Sequence, residues 1–402
     1  MPPAAFASAS STDPDLSRAI STVAGRLLEQ LAQPAHLAMV FATPEYLPFL
    51  ARVSGEFRRA FPQAVLLGCT AESLVATGKE IESGPALAAW VACLPATRVI
   101  PVHWQFTATP DGPRLTAQPP DWLPAQQDGG QLLILGEPYS FPADYLLEHL
   151  QKEAPRLPVH GGMASGGQGP GQNRLLFQDE ILPSGAVGVW LAGGVRIRSV
   201  VSQGCRPIGR PWIITKAERN VIFELGGRPA MLQLREIFES LPEADRELLR
   251  SGLHVGLAMS EYRDEFRRGD FLVRGVVGAD PKSGMIAIGD DARVGQTMQF
   301  HVRDAETASE DLRELLRPIA LSAGRNAGAL LFTCNGRGQR LFAEPHHDAQ
   351  ALARQWGELP LAGFFAAGEI GPVCGGNYLH GYTASAVLFE ALEEASLQPG
   401  AK

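Results

Sequence analysis

The sequence predicts an α/β (α+β) fold of two similar lobes, in which repeated strand–helix–strand–hairpin units build mixed sheets packed face to face with helices outside. Its 402 residues exceed what one core usually holds, so two lobes are expected. Short apolar runs typical of buried strands alternate with segments whose apolar residues recur at helical spacing. The order of strand, helix, strand, glycine turn and hairpin recurs about four times, and such repetition indicates architecture more strongly than any single element.

The chain begins with a tail and a helix over residues 1–30. Residues 1–11 have no clear pattern and are expected to be loose, and Thr12 or Asp13 is predicted to cap the helix. One face of this helix is apolar, formed by Leu16, Ile20, Val23, Leu27 and Leu31.

The repeated units divide between two lobes, residues 31–208 and residues 209–402. In the first lobe, strands 36–43 and 64–68 flank helix 44–61, and strand 131–136 and a strand at Val159 flank helix 142–152. In the second lobe, strands 329–333 and 361–365 flank helix 348–356, and a looser copy places helix 229–241 before strands 254–259, 271–277, 285–288 and 297–302. Further strands are predicted at 87–94, 99–106, 175–177, 186–192, 195–202 and 383–388. The lobe boundary is placed at residues 204–210, where Gly, Pro and Arg interrupt the pattern.

Composition and charge are those of a soluble globular protein. The chain is 45% hydrophobic and 19% charged, unlike the charge-rich chains that stay disordered. A net charge of -8 without a basic face argues against nucleic acid as a partner. The amino terminus lacks a secretory signal, and the apolar runs 86–96 and 186–195 are too short to span a bilayer. The 5 cysteines show no C-x-x-C pair, so we expect reduced thiols and a cytoplasmic protein that does not insert into membranes.

Polar side chains follow the glycine turns at the ends of the predicted strands. Because these turns follow the same type of strand, we expect them to gather at corresponding ends of the two lobes and to make the lobe junction a small-ligand cleft. The candidate ligand-binding residues are Cys69, Thr70, Glu72, Ser165, Cys334, Asn335, Arg337, Glu369, Asn377, His380 and Thr383. No metal-site spacing, dinucleotide fingerprint or catalytic signature is present, so no metal, cofactor or catalytic residue is predicted.

Arg337 and Glu369 are central to this prediction. Arg337 stands between two glycines, where a guanidinium group can hold a carboxylate through two hydrogen bonds. Glu369 also lies between glycines and can accept an ammonium group, so the two residues would bind both ends of a zwitterion. The alternatives are that Arg337 pairs with Glu369 or caps backbone carbonyls, that Glu72 is a solvated turn carboxylate, and that the polar groups of residues 363–389 satisfy one another.

The same turns resemble those of the FIST family (F-box and intracellular signal transduction proteins). The matching segments are residues 67–72 (LGCTAE), 186–191 (AVGVWL), 202–209 (SQGCRPIG), 333–338 (TCNGRG), 363–372 (GFFAAGEIGP) and 380–383 (HGYT). The resemblance covers nearly the whole chain, as a FIST N-type region followed by a FIST C-type region. It implies a sensory module that binds small ligands, with amino acids as the suggested class. Related chains carry bacterial signalling domains or an F-box; the residues before 30 are too few for an F-box and none follows 402, so any output is expected to pass through a separate signalling protein.

Three classes of function follow from these observations. The first is a non-enzymatic sensor in which an amino-acid-like metabolite binds between the lobes and alters their orientation. The second is a protein-interaction scaffold or adaptor. The third is a cysteine-dependent hydrolase built from a turn cysteine with His380 and Glu369.

Overall fold

The computed structural model describes residues 3–110, 112–117, 129–262, 265–319 and 326–392. The helices are Leu16–Gln30 (α1), Leu50–Ala60 (α2), Ala143–Glu153 (α3), Ala230–Ser240 (α4), Glu243–Ser251 (α5), Ala305–Leu316 (α6) and His347–Trp356 (α7), with short 3-10 turns at Pro44–Phe49 and Gly338–Arg340. The strands are Ala5–Ser11 (β1), Leu37–Ala42 (β2), Val65–Thr70 (β3), Leu74–Ala76 (β4), Lys79–Ile81 (β5), Leu87–Cys93 (β6), Thr97–Thr109 (β7), Gly112–Ala117 (β8), Gln131–Gly136 (β9), Val159–Met163 (β10), Leu175–Phe177 (β11), Glu180–Leu182 (β12), Ala186–Gly193 (β13), Val195–Gln203 (β14), Cys205–Glu218 (β15), Val221–Leu225 (β16), Arg228–Pro229 (β17), Leu253–Ala258 (β18), Phe271–Asp280 (β19), Met285–Ile288 (β20), Thr297–Arg303 (β21), Ala327–Cys334 (β22), Leu361–Ala366 (β23), Glu369–Val373 (β24), Gly376–His380 (β25) and Thr383–Ala391 (β26). The chain is therefore a mixed α/β protein, as its sequence pattern predicts.

The chain divides into two compact units that are not consecutive halves. The first unit is Met1–Val201 with Arg313–Leu379 and Thr383–Lys402, and the second is Ser202–Leu312 with His380–Tyr382. The chain leaves the first unit close to the predicted boundary at 204–210. It returns at Arg313 because β22, β23 and β26 pair within sheets of the first unit. Sequence periodicity locates such strands but not their partners.

The first unit repeats one strand arrangement three times within the described residues. In each repeat a strand pairs in parallel with the strand that follows a helix, and antiparallel with a later strand. These sets are β2 with β3 and β6, β9 with β10 and β13, and β22 with β23 and β26. Helices α2, α3 and α7 connect the parallel strands, as parallel pairing requires. The looser copy predicted over residues 229–302 differs, because β18 pairs antiparallel with both β19 and β21.

In each repeat a β-hairpin pairs with the edge of the sheet that belongs to another repeat. The hairpin β4–β5 adds to β23, β11–β12 adds to β3, and β24–β25 adds to β10. The three sheets consequently share one strand order: β1-β6-β2-β3-β11-β12, then β7-β13-β9-β10-β24-β25 with β8 at its edge, and β14-β26-β22-β23-β4-β5. The first unit is thus a cyclic, pseudo-threefold arrangement of interlocked sheets.

The inner faces of these sheets enclose a shared core. Along β2, Leu37, Met39 and Phe41 point into it, while the intervening alanine and valine side chains pack under α1 and α2. The ring centroids of Phe41 and Phe364, from different sheets, lie 5.0 Å apart. This alternation is the period of a strand buried on both faces, and it confirms sheets packed face to face with helices outside.

The amino-terminal prediction was partly wrong. Residues 5–11 form β1, which pairs with β6 along its whole length. Its small alanine and serine residues give a weak strand signal, so the partner strand decides the structure. Helix α1 begins later than predicted, because the Asp15 carboxylate, and not Thr12 or Asp13, accepts the Arg18 N–H at 3.1 Å.

One glycine recurs at an equivalent place in every repeat of the first unit. A Cβ atom added to Gly68, Gly161 or Gly363 would lie 1.9, 1.8 or 1.8 Å from a backbone carbonyl oxygen of the parallel neighbour strand. Only a residue without a side chain permits this approach. The repeated glycine positions thus support the threefold arrangement independently of strand order.

Replacing Gly363 with alanine is expected to lower the free energy of unfolding by about 1–3 kcal/mol, because the added methyl group must push β23 away from β22. Chemical denaturation of the full chain measures the change. Gly55→Ala is the control: Gly55 lies in α2, and a Cβ atom added to it would meet nothing within 4 Å, so that variant should be neutral or gain up to about 1 kcal/mol. Equal stability of Gly363→Ala and the parent would contradict the close approach.

The second unit is a barrel-like sheet with the order β15-β21-β18-β19-β20-β16-β17. The long strand β15 pairs with β21 through its first part and with β16 through its last part, which curls the sheet toward closure. Its interior is apolar, with Phe300 and Ile214 fully buried, and α4 and α5 contribute to the same core. Within the described residues no helix combines the length and apolar character needed to cross a membrane.

Candidate functional site

The turns that follow β3, β10 and β23 meet in the first unit. The Ser165 N–H donates to the Thr70 carbonyl at 3.2 Å, and the Phe365 N–H donates to the Ser73 carbonyl at 2.9 Å. The Ser165 hydroxyl donates to the Phe365 carbonyl and accepts the Glu72 N–H at 3.0 Å. Ser165 therefore joins all three repeats at the carboxyl ends of their parallel strands, where α/β sheets commonly place their sites.

A group of buried polar side chains lies at the end of β22 and β23. We call Cys334, Arg337, Asp348, Glu369 and Thr383 the polar cluster. Arg337 comes from the turn after β22, Asp348 from the first turn of α7, and Glu369 and Thr383 begin β24 and β26. Because α7 connects two parallel strands, its start and the carboxyl ends of those strands lie at the same sheet edge.

Arg337 and Asp348 form a buried ion pair. Arg337 donates from Nε to Asp348 Oδ2 at 2.7 Å and from Nη2 to Asp348 Oδ1 at 2.8 Å, and neither side chain is more than 1% exposed. The guanidinium carbon lies 5.1 Å from the Phe342 ring centroid. This two-point contact is the strongest geometry for such a pair. Arg337 thus has a partner that the sequence alternatives did not include.

Asp348 is itself held by several neighbours that sequence reasoning missed. The Thr333 hydroxyl donates to Asp348 Oδ2 at 2.6 Å, and His347 Nδ1 lies 2.8 Å from Asp348 Oδ1. Glu80, from the hairpin strand β5, accepts the N–H groups of Asp348 and Ala349 at 2.9 and 3.0 Å. An acidic residue after EPHH at a helix start was the available signal for Asp348, whereas Glu80 is positioned only by the exchanged hairpin.

Burial sets the protonation of the carboxyl groups. Burial raises the pKa of Glu369 to about 8, although hydrogen bonds from Thr383 N–H (3.1 Å) and Oγ1 (2.8 Å) and the charge of Arg337 oppose the shift. Burial, followed by the charge of Asp348, raises the pKa of Glu80 to about 8. Burial would also raise the pKa of Asp348, but Arg337 outweighs it and holds that pKa below its usual value. At neutral pH the Arg337–Asp348 pair is therefore charged, and both glutamic acids are largely protonated.

The polar cluster and two neighbouring residues, Asn335 and Glu80, retain hydrogen-bonding capacity that the described residues do not use. Arg337 Nη1, Glu369 Oε1, Asn335 Oδ1 and Glu80 Oε2 are buried without a hydrogen-bond partner among the described residues. The Cys334 thiol also interacts with the Glu369 carboxyl group and lowers its pKa. Buried polar atoms are usually satisfied, so four such atoms on Arg337 and the residues around it are unusual. The unpartnered oxygens of protonated Glu369 and Glu80 can donate a hydrogen bond, and each becomes an acceptor only when its carboxyl group ionises. Their chemistry is complementary to that of a small molecule with both acidic and basic groups.

An ion pair between Arg340 and Glu72 lies next to the polar cluster in the chain, at the turn after β22. Arg340 pairs with Glu72, and its Nη1 also donates to the Asn335 carbonyl at 3.0 Å. The Arg340 and Glu72 side chains are 57% and 37% exposed. The predicted residue Glu72 therefore connects the turn after β3 with the turn after β22, and the half-buried Asn335 belongs to the second of these turns.

The remaining predicted residues lie elsewhere. Asn377 accepts the Val159 N–H and donates to the Leu157 carbonyl, both at 2.8 Å, at the opposite end of β10 from Ser165. Cys69 is fully buried in β3, and burial raises the pKa of its thiol well above the usual value. His380 falls in the second unit and is not assigned to the polar cluster.

Thr70 belongs to the neighbouring turn. Its Oγ1 accepts the Arg174 N–H at 2.9 Å. The structure therefore groups Cys334, Asn335, Arg337, Glu369 and Thr383, places Thr70, Glu72 and Ser165 at the joined turns, and separates Asn377 from both. Within the described residues, no three His, Cys, Asp or Glu side chains are arranged to hold a metal ion.

Comparison with known proteins identifies the family. The FIST N domain model matches residues 36–228 and the FIST C domain model matches residues 230–372, so the chain belongs to the FIST family. The chain is 44% identical over 382 residues to the uncharacterized protein Rv0628c of Mycobacterium tuberculosis, covering 94% of this chain and 98% of that one. It is 43% identical over 380 residues to the uncharacterized protein Mb0898c of Mycobacterium bovis, covering 94% and 97%. FIST domains are associated with sensory and signalling roles.

Proposed function

We propose that this chain is a cytoplasmic sensory protein that binds an amino-acid-like metabolite at the polar cluster and signals through a separate protein. The association of FIST domains with sensory roles supports the class. The observation that carries the ligand proposal is the set of buried, unpartnered polar atoms beside the Arg337–Asp348 ion pair.

The unused atoms have the chemistry of the two ends of an amino acid. Asp348 occupies Nε and Nη2 of Arg337 and leaves Nη1 to donate to a ligand carboxylate. Asn335 Oδ1, and Glu369 Oε1 once that carboxyl group has lost its proton, are acceptors for a ligand ammonium group. Supplying these partners removes the cost of leaving polar groups buried and unsatisfied, roughly 1–3 kcal/mol each. A ligand with only one of the two groups satisfies only part of the cluster.

Binding of an ammonium group at Glu369 should depend on pH. Because the pKa of Glu369 is about 8, the carboxyl group must lose a proton to accept a cation fully at neutral pH. Affinity should therefore rise by up to about tenfold per pH unit as pH increases toward 8, by proton linkage. A ligand bound only through its carboxylate would not show this rise.

The test is a thermal-shift screen of the full chain with the proteinogenic amino acids, followed by titration calorimetry. At least one amino acid should raise the melting temperature. At a ligand concentration of 100 times Kd, the expected gain in the free energy of unfolding is about 2.7 kcal/mol. Its N-acetyl derivative and its decarboxylated amine should bind at least about tenfold more weakly, since each lost charged hydrogen bond is worth about 1.5–3 kcal/mol.

Two matched variants locate the site. Glu369→Gln should abolish the amino-acid effect, whereas Glu344→Gln, an exposed change on the segment between Arg337 and α7, should preserve it. Absence of any amino-acid effect on the parent chain would refute the ligand class. Equal ligand responses from both variants would refute the location.

A further inference from the structure

A groove in the second unit has the size of a small-molecule site. It lies between α4, α5 and the turn that joins β19 to β20, with a volume of about 500 Å³. Its lining is Pro229, Met231, Leu232, Leu234, Arg235, Phe238, Leu249, Pro281, Lys282, Ser283 and Gly284. Ligand pockets in proteins typically have volumes of about 300–1,000 Å³, so the groove is large enough for an extended small molecule.

The walls of the groove are apolar because α4 carries more apolar residues than the barrel core covers. Ala230, Leu234 and Ile237 are buried against the sheet, whereas Met231 and Phe238 on adjacent faces are only half-buried. Leu232 and Leu249 share this half-buried state. A face that offers thioether, aromatic and branched aliphatic groups favours an alkyl or acyl chain.

The ionisable side chains that line the groove have one sign. Arg235 Nε lies 3.9 Å from Glu239 Oε1, which is beyond hydrogen-bond distance, and Lys282 makes no ion pair with the described residues. The Ser283 hydroxyl donates to Asp280 at 2.7 Å and is therefore already engaged. No carboxylate lines the groove. The charge of the groove is complementary to an anion, and the ammonium and guanidinium groups are available to it.

We propose that this groove binds an amphipathic monocarboxylate, with its acyl chain along the apolar wall and its carboxylate at Arg235 and Lys282. The apolar wall excludes a ligand that is polar throughout, since its groups would lose water without gaining partners. The two cations disfavour an amphipathic ammonium compound of the same length. This site is separate in the chain from the polar cluster, and it goes beyond the proposed amino-acid sensing.

Titration calorimetry of the full chain with decanoate, octanoate and decyltrimethylammonium, each below its micelle-forming concentration, tests the proposal. Decanoate should bind with one-to-one stoichiometry. Octanoate, shorter by two methylene groups, should bind roughly tenfold more weakly. The cationic probe should bind at least about tenfold more weakly than decanoate, because it meets like charge.

A charge-matched pair of variants locates the carboxylate. Arg235→Glu with Lys282→Glu should weaken decanoate binding about tenfold or more. The control variant, Arg267→Glu with Lys216→Glu, changes the net charge by the same amount at positions outside the groove. It should leave decanoate binding unchanged. Arg267 is a close match for Arg235. The Arg267 side chain is 82% exposed and lies 3.8 Å from the Glu265 carboxylate, and the Arg235 side chain is 68% exposed and lies 3.9 Å from the Glu239 carboxylate.

Filling the groove provides a second test. Leu232→Trp should weaken decanoate binding while leaving the melting temperature close to that of the parent, since Leu232 is only half-buried. Equal binding of the anionic and cationic probes, equal loss in the two charge variants, or no decanoate binding would each overturn the proposal. A parent chain that light scattering shows to be a dimer, and that Leu232→Trp makes monomeric, would instead assign the groove to a second copy.

Discussion

Asp348→Asn is expected to lower the free energy of unfolding by about 3–5 kcal/mol, because it leaves the Arg337 guanidinium charged in the interior without a counter-ion. The ion pair is at most 1% exposed, so water cannot replace the lost carboxylate. Urea unfolding monitored by circular dichroism measures the loss. A change below about 1 kcal/mol would contradict the burial of this pair.

Two further variants separate burial from charge. Asp179→Asn removes the partner of Arg58 at 3.3 Å, but Asp179 is 76% exposed, so the expected loss is about 0–1 kcal/mol. Arg337→Met combined with Asp348→Leu removes both charges together. That double variant should be more stable than Asp348→Asn alone, since no unpaired ion remains buried.

Glu369→Gln is expected to become more stable relative to the parent chain as pH rises. The folded-state pKa of about 8 lies above the unfolded value of 4.5, so the folded state binds the proton more tightly. The stability that the folded state gains by holding the Glu369 proton is fully present below pH 4.5 and is lost as pH rises through 8. Glutamine resembles the protonated acid and can still accept the hydrogen bonds from Thr383. Because glutamine cannot ionise, the variant does not lose stability at high pH as the parent does.

The expected size of the effect follows from proton linkage. Between pH 6 and pH 9 the difference in unfolding free energy between variant and parent should change by about 2–3 kcal/mol in favour of the variant. Glu80 has the same raised pKa in both proteins, so its contribution to the pH dependence of stability cancels in the comparison. Glu344→Gln should show no such trend, because Glu344 is exposed. A pH-independent difference between Glu369→Gln and the parent would contradict a buried, protonated Glu369.

The sequence predicted the elements of the fold better than their pairing. Apolar runs and helical spacing located β2, α2 and β3, and the glycine turns after strands indicated a repeat. The exchange of hairpins depends on contacts between strands far apart in the chain, such as β4 with β23. Local periodicity carries no information on such pairing, so the same elements also fitted two consecutive lobes.

The site shows the same division between local and distant information. Arg337, Glu369 and Thr383 were predicted because each lies at a glycine turn that follows a strand. Asp348 was missed because a predicted helix over 348–356 does not reveal which side chain its first turn will contact, here Arg337. Glu80 was missed because β5 reaches α7 only through the exchanged hairpin. The ion pair with Asp348 takes the place of the alternative in which Arg337 pairs with Glu369 or caps backbone carbonyls.

The exchange of hairpins also constrains how the first unit reaches its native state during synthesis. The sheet built on β9 and β10 needs β24, and the sheet built on β2 and β3 needs β11, so neither amino-terminal repeat can complete its edge alone. The ribosome must release the chain as far as β26 before the last sheet can close. Such late, long-range closure is slow compared with local folding, and it leaves strand edges exposed on the nascent chain. Until β26 has been made, those edges are open to pairing with strands of other chains.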